Sequence, residues 1–279
     1  MFTGVAIVQL AQQRKLMFDD LVGKHLPDYP NEEVREKVTI HHLLTHTSGM
    51  GLYWIELFHK HDWILIKTAQ DYDALTNKKP LSFEPGERFQ YSNSGPIVLG
   101  LIIEKISGMS YDEYIQKYVT GPVGMENTYF YDITTPIPNL ATGYTKRNLL
   151  GELQKDWLEN YFVTPSRGGP AGGGYSTVED LLRFDIALRS NQLLDQEHFA
   201  ILTTGKVDRT PDKKYAYLFE EQYINGHRVI GHGGGAPGIN SQLRMYMDLG
   251  YTVVVMSNYD PPAAGNVVNK LAELLTGDK

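Results

Sequence analysis

Apolar residues recur along this chain with two different periods. At the start, Met1, Phe2, Val5, Ala6, Ile7, Val8, Leu10 and Ala11 cover almost every side of a helix, which predicts a buried core helix. No Ser, Thr, Asp or Asn precedes it as a cap, although the N–H groups of an apolar helix end still need partners. The sequence is therefore expected to open inside a structural element, with further residues upstream of Met1.

From Arg14 to about Thr210 the pattern predicts short helices joined by Gly- and Pro-rich loops. Thr39 to Thr45 reads as a short apolar helix ending at Ser48-Gly49. Ser94-Gly95-Pro96 opens a strongly apolar helix to about Ile106, closed by Ser107-Gly108, with Asn93 or Ser94 as its cap. Ser110 caps a helix from Tyr111 to Val119. Ser176 and Glu179 have capping-box spacing before a helix from Thr177 to Leu188, and Asp195 caps one more.

The last third alternates with a period of two. Tyr215 to Tyr223 and His227 to His232 flank Asn225-Gly226, a strong hairpin signal. Gln242 to Met247 and Tyr251 to Ser257 form a second antiparallel pair about Asp248-Leu249-Gly250. Tyr251 to Met256 reads as a central buried strand, and Val267 to Leu275 as an amphipathic helix. These elements predict an α/β (α+β) fold, with an antiparallel β-sheet flanked by helices beside a helix-rich region. One domain over residues 1–279 is expected, helix-rich from about 14 to 210 and sheet-forming over 1–13 and 211–279.

Composition narrows the function. With 42% apolar and 21% charged residues in 279, the chain can fill a large core and is not a disordered one. A net charge of −7 without a basic stripe argues against nucleic acid as a partner. The longest apolar run, Pro96 to Ile103, falls short of the ~20 residues of a membrane-spanning helix. The absence of cysteine excludes a disulfide scaffold, a zinc–cysteine site and a thiol nucleophile.

Three groups of residues could carry chemistry. His42 and His46 have the spacing of zinc ligands on a helix. No Glu lies between them and no third ligand is apparent, so a packing or capping role is expected and no metal. Tyr91-Ser92-Asn93-Ser94-Gly95 reads either as a plain capping loop or as a tyrosine hydroxyl and an amide held rigidly at a helix start. As a proton relay Tyr91 would need a nearby cation to lower a pKa ordinarily near ~10. His232-Gly233-Gly234-Gly235 reads either as a flexible turn or as a strand that another backbone or a ligand approaches closely. No G-x-S-x-G occurs, and no serine is followed three positions later by lysine, so the chain contains no S-x-x-K.

Tyr91-Ser92-Asn93, followed far downstream by His232-Gly233-Gly234, resembles the second and third motifs of the serine β-lactamase family. That family groups class C β-lactamases, D-alanyl-D-alanine peptidases and related esterases. Lys15-Leu16-Met17-Phe18-Asp19-Asp20, the segment Ile40 to Gly49, and Pro170-Ala171-Gly172-Gly173-Gly174-Tyr175-Ser176-Thr177 agree with it in order along nearly the whole chain. The resemblance implies a β-lactamase/transpeptidase-like fold and a small-molecule or peptide substrate, with no cofactor. Its first motif, S-x-x-K, would fall just before Met1, so the nucleophile and the N-terminal strands of the sheet are expected to be missing. Members are commonly exported, and a signal for export would lie upstream too.

By that resemblance an upstream serine forms an acyl-enzyme, and its lysine and Tyr91 share the proton traffic. Asn93 meets the substrate amide or positions the lysine. His232, where many members carry lysine, helps hold a substrate carboxylate or the tyrosine oxygen. Gly233 and Gly234 let substrate lie along the strand, and the N–H of Gly235 is an oxyanion donor. The rival reading is a noncatalytic penicillin- or peptide-binding module that keeps only the cleft.

Overall fold

The computed structural model describes residues 1–54, 63–148 and 150–277. At its centre lies the apolar opening segment, as helix α1 (Phe2–Gln12), with Val5, Ala6, Ile7, Val8 and Leu10 wholly buried. Two of its polar side chains have partners far along the chain. The Thr3 hydroxyl donates to the Pro170 carbonyl (2.6 Å) and accepts from Tyr111 (2.7 Å). The Gln9 amide donates to the carbonyls of Tyr118 and Leu193.

Further helices follow: α2 (Val22–His25), α3 (Glu32–Lys37), α4 (Ile40–Leu44), α5 (Ala69–Asp73), α6 (Ser94–Ser107), α7 (Tyr111–Ile115), α8 (Val178–Arg189), α9 (Gln196–Thr203) and α10 (Ala263–Thr276). The expected caps at Ser110 and Asp195 are formed. Before α8 the cap is Thr177, accepting from the Asp180 N–H, while Ser176 instead bonds to Thr128. The helix expected from Tyr111 to Val119 is α-helical only to Ile115 and continues as a wider π turn over Gln116–Thr120.

Among the described residues one sheet has six strands in simple antiparallel order: β3 (Val207–Thr210), β4 (Lys213–Tyr215), β5 (Glu220–Ile224), β6 (His227–Ala236), β7 (Ile239–Tyr246) and β8 (Thr252–Ser257). A separate hairpin joins β1 (Tyr144–Arg147) to β2 (Leu153–Glu159). This hairpin is not expected from the pattern of residues, because β2 is exposed along almost its whole length and carries no apolar alternation. The single strand expected from Tyr215 to Tyr223 is broken, since Leu218 adopts φ 57° and the chain turns between Ala216 and Phe219. Among the described residues the strand expected from Tyr251, β8, has a neighbouring strand on one side only, β7. Its apolar run reflects two covered faces: α10 packs on β8, and on α8 Asp185 accepts from the Thr252 hydroxyl.

One apolar cluster takes in α1, α6, α8 and the sheet, including Val5, Leu99, Phe184, Leu243 and Met245. The sheet also creates an open edge. β7 pairs with β6 from Val229 to Ala236, whereas β5 pairs with it only from His227 to Gly231. Residues 232–236 are therefore bonded to a strand on one side only. Gly231, at the point of change, has φ 152°, and a Cβ there would lie 2.0 Å from the Leu243 carbonyl oxygen.

Candidate active site

Tyr91-Ser92-Asn93 is held through its middle residue. The buried Ser92 hydroxyl donates to the Gly51 carbonyl (2.9 Å) and accepts from the Gly95 N–H (3.1 Å). Ser92, rather than Asn93 or Ser94, thus closes the start of α6, and Ser94 pairs with the Thr76 hydroxyl. Asn93 stands at the cap position, yet its side chain makes no hydrogen bond among the described residues. The Tyr91 ring is 36% exposed and lies 4.3 Å, centroid to centroid, from His46.

His232 approaches from β6, with its ring centroid 6.5 Å from that of Tyr91. Between the two motifs lie residues that sequence reasoning did not assign to a site. His46 follows α4 with φ 56°, and its Nδ1 accepts from the Ser92 N–H (3.3 Å). Its Nε2 lies 2.9 Å from the Tyr215 hydroxyl, which lies 2.9 Å from His232 Nε2. His232 Nδ1 lies 2.5 Å from the Gly233 carbonyl oxygen. Phe89 packs against both His46 and Tyr215.

Desolvation governs the charges here. Burial lowers His232 to about 3, opposed by the Gly233 carbonyl and helped by Arg209. Burial likewise holds His46 well below its ordinary value, with His232 and Arg209 adding to the effect. The same desolvation raises the Tyr91 phenol, and Arg209 pulls it down only in part. Arg209 is itself ion-paired with Glu220. Burial thus disfavours a cationic His232, and both of its ring nitrogens already have partners.

The start of α1 lies close to both histidines. Gly233 and Gly234 lie on the uncovered stretch of β6. Their virtual Cβ positions meet Gln242 and Ser241, and that of Gly235 meets Pro261 at 2.7 Å. His42 is occupied elsewhere, its Nδ1 accepting from the Thr39 N–H in the capping box of α4. Among the described residues no group of three or more His, Cys, Asp or Glu side chains is placed to hold a metal ion. A hollow of about 330 Å³ beside Phe2, Asp112, Tyr129 and Arg167 is lined by none of Tyr91, Asn93, His46, Tyr215 or His232.

The sequence matches the family described as Beta-lactamase over residues 1–278. The chain belongs to the beta-lactamase family. Penicillin-binding protein 4* of Bacillus subtilis (strain 168) is 31% identical to it over 269 residues, 92% of this chain and 58% of that protein. The chain thus spans less than two thirds of the length of this curated relative. A penicillin-binding protein structure from Bacillus halodurans is 31% identical and superposes with a TM-score of 0.88, covering 98% of this chain and 83% of that one. A D-stereospecific amidohydrolase from Streptomyces sp. is 25% identical with a TM-score of 0.84, over 97% of this chain and 83% of its own. This member of the beta-lactamase family shares with them a mixed α/β fold, its antiparallel sheet flanked by helices. No helix among its described residues is long and apolar enough to cross a membrane.

Proposed function

We propose that this chain builds the acyl-transfer site of a serine hydrolase acting on a β-lactam, a D-amino-acid peptide or amide, or an ester. The observation that carries the reading is the approach of the Tyr91 and His232 rings, 6.5 Å apart, beside the stretch of β6 that β5 leaves uncovered. A substrate backbone laid along residues 232–236 would pass both motifs. In this reading Asn93, whose amide is unengaged, meets the substrate amide, and Gly233 and Gly234 keep the strand clear of side chains. The Gly235 N–H serves as an oxyanion donor, a role worth about 3 kcal/mol in transition-state stabilisation. His232 shapes the strand as a neutral ring. Tyr91 relays protons once a lysine cation lies beside it.

The 279 residues contain no S-x-x-K, and burial keeps the Tyr91 phenol above its ordinary value. By itself this chain is therefore proposed not to turn substrate over. The test compares it with the same chain preceded by an S-x-x-K-bearing segment of the family, using nitrocefin, a p-nitrophenyl ester and a D-amino-acid anilide. The extended protein is expected to be faster by several orders of magnitude and to lose that rate in Tyr91→Phe. Equal, Tyr91-dependent turnover by the 279-residue chain would show that the nucleophile has been misplaced.

The lack of S-x-x-K also favours a second reading, a module that binds penicillin or peptide without cleaving it. Saturable penicillin binding by an extended protein that never hydrolyses any of the three substrates would select that reading.

A further inference from the structure

The contacts between the two motifs form a continuous hydrogen-bonded path: Ser92 N–H, His46 Nδ1 and Nε2, the Tyr215 hydroxyl, His232 Nε2 and Nδ1, and the Gly233 carbonyl. Both ends are backbone groups, so the protons within it have no choice of direction. An amide N–H can only donate, which leaves His46 Nδ1 bare and puts the single proton of a neutral ring on Nε2. That proton goes to the Tyr215 oxygen, and the Tyr215 O–H goes on to His232 Nε2. His232 then carries its proton on Nδ1, facing a carbonyl oxygen that can only accept. Each donor meets one acceptor from end to end.

An added proton has no place in this path. A second N–H on His46 would face the Ser92 N–H, and one on His232 would face the Tyr215 O–H. Turning that hydroxyl around would set it against the N–H of His46. The middle of the path is also enclosed, because His46 and Tyr215 are each about 1% exposed and Phe89 packs on both. Unpaired polar atoms in such a place are costly, so the satisfied arrangement is strongly preferred.

We propose that His46 and Tyr215 are positioning residues, which tie the Tyr91-Ser92-Asn93 loop to β6 and fix His232 as the neutral Nδ1–H tautomer donating to Gly233. The inference deepens the reading of the site as an acyl-transfer centre and rests on it only where turnover is concerned. His232 then acts on substrate through the strand. Its ring sets the Gly233 carbonyl at the start of the open edge, while the other end of the path sets the backbone of Ser92 between Tyr91 and Asn93. The two halves of the site, one from the helical region and one from the sheet, are kept in register by a connection that carries no charge.

The decisive measurement is a long-range proton–nitrogen correlation spectrum of the imidazole rings in the 279-residue chain at neutral pH, assigned with His46→Gln and His232→Gln. Opposite tautomers are expected, Nε2–H for His46 and Nδ1–H for His232. In Tyr215→Phe the His232 Nε2 resonance should move to that of an unbonded acceptor, while His46 keeps Nδ1 bare and its Nε2–H moves to the position of a donor without a partner. Equal tautomers in the two rings, or an Nε2–H on His232, would overturn the proposal from the unsubstituted protein alone, whatever the folding of the variant. So would a Tyr215→Phe spectrum unchanged at both histidines. In the S-x-x-K-bearing protein, Tyr215→Phe should lower kcat at least tenfold with a smaller change in KM. Expected tautomers without any turnover would sink the hydrolase reading and leave the connection standing. Turnover with the wrong tautomers would do the reverse.

Discussion

At the scale of single residues, the informative side chains are those whose environment opposes their charge. His232 is lowered to about 3 and His46 is held well below its ordinary value, both chiefly by burial. Unfolding frees each ring to bind a proton near its ordinary value of 6.5. Between those limits the unfolded chain holds more protons than the folded one, so folding stability rises with pH there. The contribution is complete above about pH 6.5 and is lost progressively as the pH falls toward about 3. The urea midpoint is thus expected to drop between neutral pH and about pH 5, and to drop less in His232→Gln. An equal acid sensitivity in the two proteins would show that the His232 ring is not protected from protonation. Tyr91, Asn93 and His232 stood out in the sequence only through the family resemblance, since local chemistry alone left each of them a plain structural reading. His46 was visible only as half of a weak zinc pattern, and Tyr215 and Arg209 not at all, because nothing local marks a residue whose partners lie far along the chain.

At the scale of elements, β6 is the decisive strand. It is paired on both sides as far as Gly231 and on one side beyond it, and this change creates the edge beside Tyr91. Gly231 sits there with φ 152°, and any Cβ would collide with the Leu243 carbonyl oxygen of β7. Gly231→Ala is therefore expected to cost at least about 2 kcal/mol, through backbone strain and displacement of β7. Chemical denaturation of the two proteins checks this, and a loss within error of zero would mean that the strand adapts freely. The hairpin at Asn225-Gly226 was legible because both residues adopt positive φ, as the turn demands. The β1–β2 hairpin was not legible, since an exposed strand needs no apolar alternation. For β8, expected at the centre but flanked on one side only among the described residues, the reason is related: its apolar run records which faces are covered and says nothing of how many strands flank it.

At the scale of the whole molecule, elements distant in sequence complete one another. Helix α10 has no side-chain cap from its own N-terminus, where Pro262 stands. Its first N–H groups are satisfied from the sheet, because Asn240 Oδ1 accepts from Ala264 (2.8 Å) and Gly265 (3.3 Å). The same amide donates through Nδ2 to the Gly234 carbonyl at the open edge (2.8 Å). Asn240→Ala should therefore destabilise the protein by roughly 1–3 kcal/mol, as buried groups losing their partners do. Asn240→Asp, which keeps the two accepted bonds and loses the donated one, should cost less. Urea unfolding of both variants is the check, and equal losses would remove the helix cap from the account.

The sequence by itself determined several local rules of this protein: where the longer helices α1, α6, α8 and α9 begin, where the Asn225-Gly226 reversal falls, and that α1 is buried. Those follow from periodicity, turn chemistry and residue type, all of which act over a few positions. Only the tertiary structure decided that Ser92 caps α6, that Asn240 caps α10, and that β5 stops short of the glycines. It also decided that His46 and Tyr215 join the two motifs. Each of these is a hydrogen bond or strand pairing whose partner is chosen in space, and where a buried polar atom will find that partner depends on how the surrounding core has already closed.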